Sequence, residues 1–229
     1  MLLFLSILIS YIPDQEHKEN GNDDIKEIFV GFKENFTNIK LRISLLFTIV
    51  VNIAMLGFNA TIIYYLQDQL KLSNSLVGIV YSIAGFGSLI AVTFLSTFLN
   101  KKDAFILMNI SMATIPLVIM ASGIVENWIF FGICYSILSG LITIASVSIT
   151  TIQQQESTVY NIGKIFSSSF VIATIFAPFG GILAAYFNWL LNPRLSLVIL
   201  GLLSSLLVIL IKSYEKKLIK KSTAISVSY

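Results

Sequence analysis

Over 229 residues the chain is 56% hydrophobic and only 12% charged, with a mean hydropathy of +0.86. A soluble core of this length cannot bury that much apolar surface. The composition therefore predicts an integral membrane protein in contact with a lipid bilayer. The formal net charge of +3 is too small to argue for nucleic acid, which is not expected as a partner.

Met1–Ile12 is apolar but too short to span, and it lacks the basic start and small-residue cleavage site of a signal peptide. It reads as the end of a preceding transmembrane helix. Residues 13–42 form the long polar segment, acidic and Asn-containing through Asp24. From there Ile25, Ile28, Phe29, Phe32, Phe36 and Ile39 share one helical face, with Lys26, Glu27, Lys33 and Glu34 off it. That pattern predicts an amphipathic helix, either lying on the membrane or packed on other protein.

Six charge-free runs follow, over 43–66, 76–99, 104–123, 128–151, 165–187 and 195–211. Each can cross a hydrocarbon core of about 30 Å, the last one only just. Their short links force neighbours to run antiparallel, which predicts an all-α bundle of six transmembrane helices over 43–211 and a tail over 212–229. One link, Gln153-Gln-Gln-Glu156, reads as a solvated loop. Placing 13–42, Lys101–Lys102, Lys164 and the tail on one side gathers thirteen of the fifteen Lys and Arg, leaving Lys71 and Arg194 opposite. The positive-inside rule then puts residues 13–42 and the C-terminus in the cytoplasm. The abundance of Ile, Asn and Lys points to an AT-rich bacterial genome, and hence to the plasma membrane of a bacterium.

Two runs carry polarity in register. Ser44, Thr48, Asn52, Met55 and Asn59 in the first, and Tyr135, Ser139, Thr143, Ser146 and Thr150 in the fourth, both step at four, four, three and four. Amides and hydroxyls in hydrocarbon must face protein or water. A hydrogen-bonding seam would satisfy them, and so would the wall of a solute pathway. The third and sixth runs have no such stripe and read as peripheral. Polarity at positions one and four of six is what a pair of three-helix repeats around a cavity would produce. Gly78, Gly85 and Gly87 in the second run and Pro178, Gly180 and Gly181 in the fifth are expected to serve close packing or gating.

Enzyme chemistry finds no foothold. His17, the one histidine, lies in the polar segment, and Cys134, the one cysteine, lies in an apolar run as a packing residue. No Gly-x-Ser-x-Gly, Walker-type loop or His-Glu-x-x-His occurs. No catalytic residue, metal site or cofactor is expected.

Several segments in order resemble the C-terminal half of a major facilitator superfamily transporter, in the drug-exporter branch of macrolide-efflux type. They are Asp24-Ile-Lys-Glu-Ile-Phe-Val-Gly31-Phe32, Asn38-Ile-Lys-Leu-Arg42, Tyr65-Leu-Gln-Asp68, Leu72-Ser-Asn-Ser-Leu-Val-Gly78, Gly85-Phe-Gly87-Ser88 and Gly163-Lys164-Ile165-Phe166-Ser167. The resemblance covers roughly Asp24 to Lys217. It implies that the six runs are spans seven to twelve and that the first and fourth line the cavity. The chain departs from the family in lacking its proline after Asn38. It also reads Ser96-Thr-Phe-Leu-Asn100-Lys101 where the loop after the eighth span often keeps a glycine and an acid. No Asp or Glu lies inside the six runs, so proton coupling would fall to another part of the transporter.

The expected function is transport: half of a permease that exports small amphipathic compounds by alternating access. Asn52, Met55, Asn59, Tyr135, Ser139 and Thr143 are the expected cavity lining. The expected partners are a small-molecule substrate and either an N-terminal transporter half or a second copy. The alternative is a transport-incompetent membrane scaffold or remnant.

Overall fold

The computed structural model describes residues 30–98 and 104–226. The expected end of a preceding span at 1–12, most of the polar segment, and the link at 99–103 lie outside the described residues. A short helical stretch over 30–37 leads into six long helices. These are α1 (Ile39–Tyr64), α2 (Asn74–Phe98), α3 (Ala104–Ile124), α4 (Trp128–Glu156), α5 (Ile162–Leu190) and α6 (Pro193–Ser226). All six are long and apolar enough to cross a membrane. The protein is a multi-pass, six-helix membrane bundle, with no strand among the described residues.

The helix starts have local causes. Asn38 breaks the lead-in stretch from α1 and caps α1, its side-chain oxygen accepting from the backbone N–H of Lys40 at 2.9 Å. Asn127 caps α4 in the same way through Ile129 at 2.8 Å. Asn192 accepts from Leu195 N–H at 2.9 Å, ahead of Pro193 at the first position of α6. α1 ends in a π-helical turn, Tyr65–Gln69, and the chain leaves it through Lys71 at φ 55°, the left-handed conformation that stops a helix. Two ends run past the expected spans. α4 continues through Gln153 to Glu156, where a solvated loop was expected, and Gln153 is buried. α6 stays helical to Ser226, so most of the expected tail continues the last span.

Helix neighbours follow a pattern that repeats. The two most extensive contacts are α2 on α4 and α5 on α1; α3 packs on α4 and on α6, and α6 packs on α1. Exchanging α1 with α4, α2 with α5 and α3 with α6 leaves this arrangement unchanged. The crossings repeat in detail. A Cβ built on Gly87 of α2 would sit 1.9 Å from the Ser136 carbonyl oxygen of α4, and one on Gly180 of α5 would sit 1.9 Å from that of Ile53 of α1. One turn along each receiving helix stands a second glycine. Gly140 faces Gly87 O and Gly57 faces Gly180 O, each at 3.0 Å from a built Cβ. The sequence carries the same correspondence: Ala84-Gly-Phe-Gly-Ser-Leu-Ile-Ala91 in α2 matches Ala177-Pro-Phe-Gly-Gly-Ile-Leu-Ala184 in α5. Since α2 and α5 run in opposite directions, the two three-helix units are repeats of inverted topology.

α1 is the hub. Half of its most apolar stretch is buried, against 22% for α2 and 17% for α5. The expectation that the third and sixth spans are peripheral is corrected. α3 and α6 pack on each other and on α4 and α1, while α2 and α5 form the exposed flanks. The reason is that α3 and α6 need no polar stripe to pack; Ala, Met, Ile and Leu side chains fill their shared seam. Among the described residues, Lys33, Lys40, Arg42, Lys164, Lys212, Lys216 and Lys217 gather at the lead-in end of the bundle, with Lys71 and Arg194 at the far end.

At that far end, the buried Tyr65 hydroxyl donates to the Val125 carbonyl, tying the last turn of α1 to the α3–α4 link. Arg194 reaches Glu126 of the same link at 2.9 Å. Tyr65→Phe removes one hydrogen bond while keeping the ring. It is expected to cost about 1 kcal/mol in denaturant unfolding of the purified chain.

Candidate functional site

The two polar stripes meet, but over part of their length. On the lead-in half of the bundle α1, α4 and α5 surround a cleft of about 290 Å³. α1 contributes Thr48, Val51, Asn52 and Met55; α4 contributes Ser146, Ile149, Thr150 and Gln153; α5 contributes Phe166, Ser169 and Phe170. No ionisable side chain among the described residues lines it. Thr48 donates to the Ser44 carbonyl at 2.8 Å, and the Asn52 amide donates to the Thr48 carbonyl at 2.9 Å. Asn52 thus spends an amide N–H on its own helix and brings a side-chain oxygen, an acceptor, to the α1 wall of the cleft. Such a mixed lining suits a ligand with an apolar body and a few hydrogen-bonding groups.

Toward the far end the same interface is closed by rings. Phe58 of α1 stacks on Phe131 of α4 at 6.4 Å between centroids and lies 5.2 Å from Tyr135. Tyr65 meets Phe131 at 5.1 Å, and Tyr81 of α2 meets Tyr135 edge-on at 5.6 Å. Phe58, Tyr65 and Phe131 are fully buried. A cleft of mixed polar and apolar lining on one half thus abuts an aromatic seal on the other.

Of the expected lining residues, Asn52 and Met55 line the cleft. Tyr135 lies in the seal. Ser139 and Thr143 lie between the two, half-buried, with the Thr143 hydroxyl returned to the Ser139 carbonyl at 2.9 Å. Asn59 is exposed, beyond the cleft. The divergence has a simple cause. Superposing the glycine crossings makes Asn52 the counterpart of Tyr135, so a polar residue in one repeat answers an aromatic in the other.

Among the expected packing positions, Gly87 and Gly180 are the tight crossings. A Cβ on Gly78 or Gly85 would meet nothing within 4 Å, and one on Gly181 would make only an ordinary contact with Leu56. Close packing therefore does not require glycine at these three. Pro178 is exposed on α5. The contributions of α5 and of Gln153 were missed. The Ser167-Ser-Ser169 run at the start of α5 carried a signal, since Ser168 and Ser169 are both buried there.

The floor beneath the cleft is held by the lead-in stretch. Asn35, with no exposed surface, donates to Ser168 Oγ at 2.8 Å and to the Ile165 carbonyl at 3.1 Å, and accepts from Ser169 Oγ at 3.0 Å. Asn161 donates to Glu34 at 2.6 Å, and Glu156 accepts from Asn38 at 3.0 Å and from Lys40 at 2.5 Å. A Cβ on Gly31 would sit 2.2 Å from the Lys164 carbonyl oxygen. The stretch packs on protein through Gly31 and Asn35, while Phe36 of the expected apolar face is exposed. Ser169 both lines the cleft and grips Asn35, so floor and cleft share a residue.

Compared with models of known protein families, with curated proteins and with solved structures, the chain matches none.

Proposed function

We propose that this chain is one half of a major-facilitator-type permease that moves small amphipathic compounds outward across a bacterial plasma membrane by alternating access. The observation that carries this reading is the cleft where α1 and α4, the equivalent helices of two inverted repeats, meet beside α5, mixed polar and apolar on the lead-in half and sealed by aromatic rings beyond. Inverted repeats that meet at a mid-membrane site are the usual frame for rocking transport. With the basic end in the cytoplasm, the cleft belongs to an inward-open half, and the exposed flanks α2 and α5 are where a partner half or a second copy would close the pathway.

Efflux of a fluorescent amphipathic dye from cells expressing the chain tests the proposal. Transport above the empty vector is expected, reduced about tenfold by Asn52→Leu, for a loss of about 1.4 kcal/mol of binding, and little changed by Asn59→Leu outside the cleft. Export that survives Asn52→Leu would remove the cleft from the pathway. Absence of export from a folded chain, alone and together with a supplied N-terminal half, would favour the transport-incompetent scaffold.

A further inference from the structure

On the opposite side of the bundle α3 and α6 cross tightly and then separate. A Cβ on Gly201 would lie 2.3 Å from Met120 Cγ and 2.8 Å from the Pro116 carbonyl oxygen, so the helices touch backbone to backbone at that level. Toward the lead-in end a groove of about 410 Å³ opens between them. Its lining is largely apolar, with Val208 buried and Ala113, Leu117 and Ile209 on its open sides, and its mouth carries Lys212 and Lys216. From Ser205 at its deep end to Lys216 at its mouth the groove follows α6 for about 16 Å at 1.5 Å per residue. That length matches the hydrocarbon depth of one leaflet, about 15 Å.

We infer that this groove binds an anionic phospholipid, its acyl chains lying along the apolar lining and its phosphate between Lys212 and Lys216. The depth match places the two ammonium groups at the headgroup level, where each lysine near the surface attracts a lipid phosphate. Lys212 also contacts Glu215 at 3.3 Å and stands over the Phe47 ring at 5.9 Å. These contacts hold its position, the Glu215 carboxylate offsetting part of its charge, and its ammonium N–H donors remain for the phosphate. Lys216 is exposed and completes the pair. A second copy of the chain would not answer two lysines unless it presented acids at this height. A lipid phosphate supplies the charge and the chain together. The inference is independent of transport and stands or falls by itself.

The test is native mass spectrometry of the whole chain released from nanodiscs of equal parts phosphatidylglycerol and phosphatidylcholine with identical acyl chains. Retained lipid is expected to favour phosphatidylglycerol about tenfold or more. Lys216→Gln should lower that preference severalfold and Lys212→Gln/Lys216→Gln should abolish it, while Lys217→Gln, outside the groove, leaves it intact. Ile209→Trp, obstructing the groove from its side, should remove the retained lipid of both kinds. Glycerol 3-phosphate in excess should not displace the lipid. Equal retention of the two lipids overturns the inference, and so does a preference that survives in both lysine variants. Displacement by glycerol 3-phosphate would mark a site for free phosphate, and a dimer mass replacing the lipid adducts would assign the groove to a second copy. Either result would also overturn it.

Discussion

Gly180→Ala is expected to lower the stability of the bundle by about 3 kcal/mol, and Gly87→Ala to do the same. The added methyl cannot be absorbed by a rotamer change, because what it meets at 1.9 Å is backbone: the carbonyl oxygen of Ile53 in one case and of Ser136 in the other. The helices must part, and parting them also loosens Gly57 and Gly140, which face the returning carbonyls. Packing between apolar helices in a bilayer depends on such close approach, since lipid tails compete with any looser contact. Gly85→Ala provides the contrast. A Cβ there meets nothing within 4 Å, so the change is expected to be neutral or to stabilise α2 by about 0.5 kcal/mol. Thermal unfolding in detergent, read by circular dichroism, measures all three. Equal behaviour of the three alanine variants would sink the crossing argument. A large loss at Gly87 with none at Gly180 would break the equivalence of the repeats.

The glycines also show what was legible beforehand. The six spans, their antiparallel order and the polar faces of α1 and α4 follow from charge-free length and period, because those signals are written residue by residue. The repeat was written too, in Ala84–Ala91 and Ala177–Ala184, but its copies are offset by 93 residues, on helices running in opposite directions. A search for local likeness passes over it. What periodicity could not say is where each stripe stops being polar surroundings and becomes packing. Tyr135 and Asn52 hold equivalent places, yet one meets Phe58 and Tyr81 while the other lines the cleft. The phase of a helix gives the face, and only the partner helix gives the depth. Asn35 illustrates the same limit. The apolar pattern leaves open whether that helix lies on the membrane or on protein, and the packing runs through Gly31 and Asn35, at and beyond the edge of the apolar face.

Asn35→Leu is expected to release the lead-in stretch from the floor of the cleft, at a cost of about 3 kcal/mol. Leucine is close in size, so the loss is one of hydrogen bonds in a place without water. Ser169 Oγ loses its acceptor, and Ser168 Oγ and the Ile165 carbonyl each lose a donor. Aspartate would not repair the site, because a carboxylate would face the Ile165 carbonyl with no proton to offer. Since the stretch makes its main contacts with the ends of α4 and α5, the opening should be local and leave the bundle intact. Trypsin reports it directly through Lys33, within the stretch. Cleavage there is expected to accelerate about a hundredfold, the population change that about 3 kcal/mol implies, while cleavage at Lys71 at the far end is unchanged. Thr37→Ala, on the exposed side, should leave the rate alone. If Asn35→Leu is cut no faster than the parent chain, the floor is held by Gly31 and the Glu34 and Glu156 contacts alone. If Lys71 is exposed together with Lys33, the lead-in stretch is part of the cooperative core, and the cleft then cannot open at its floor without unfolding the bundle.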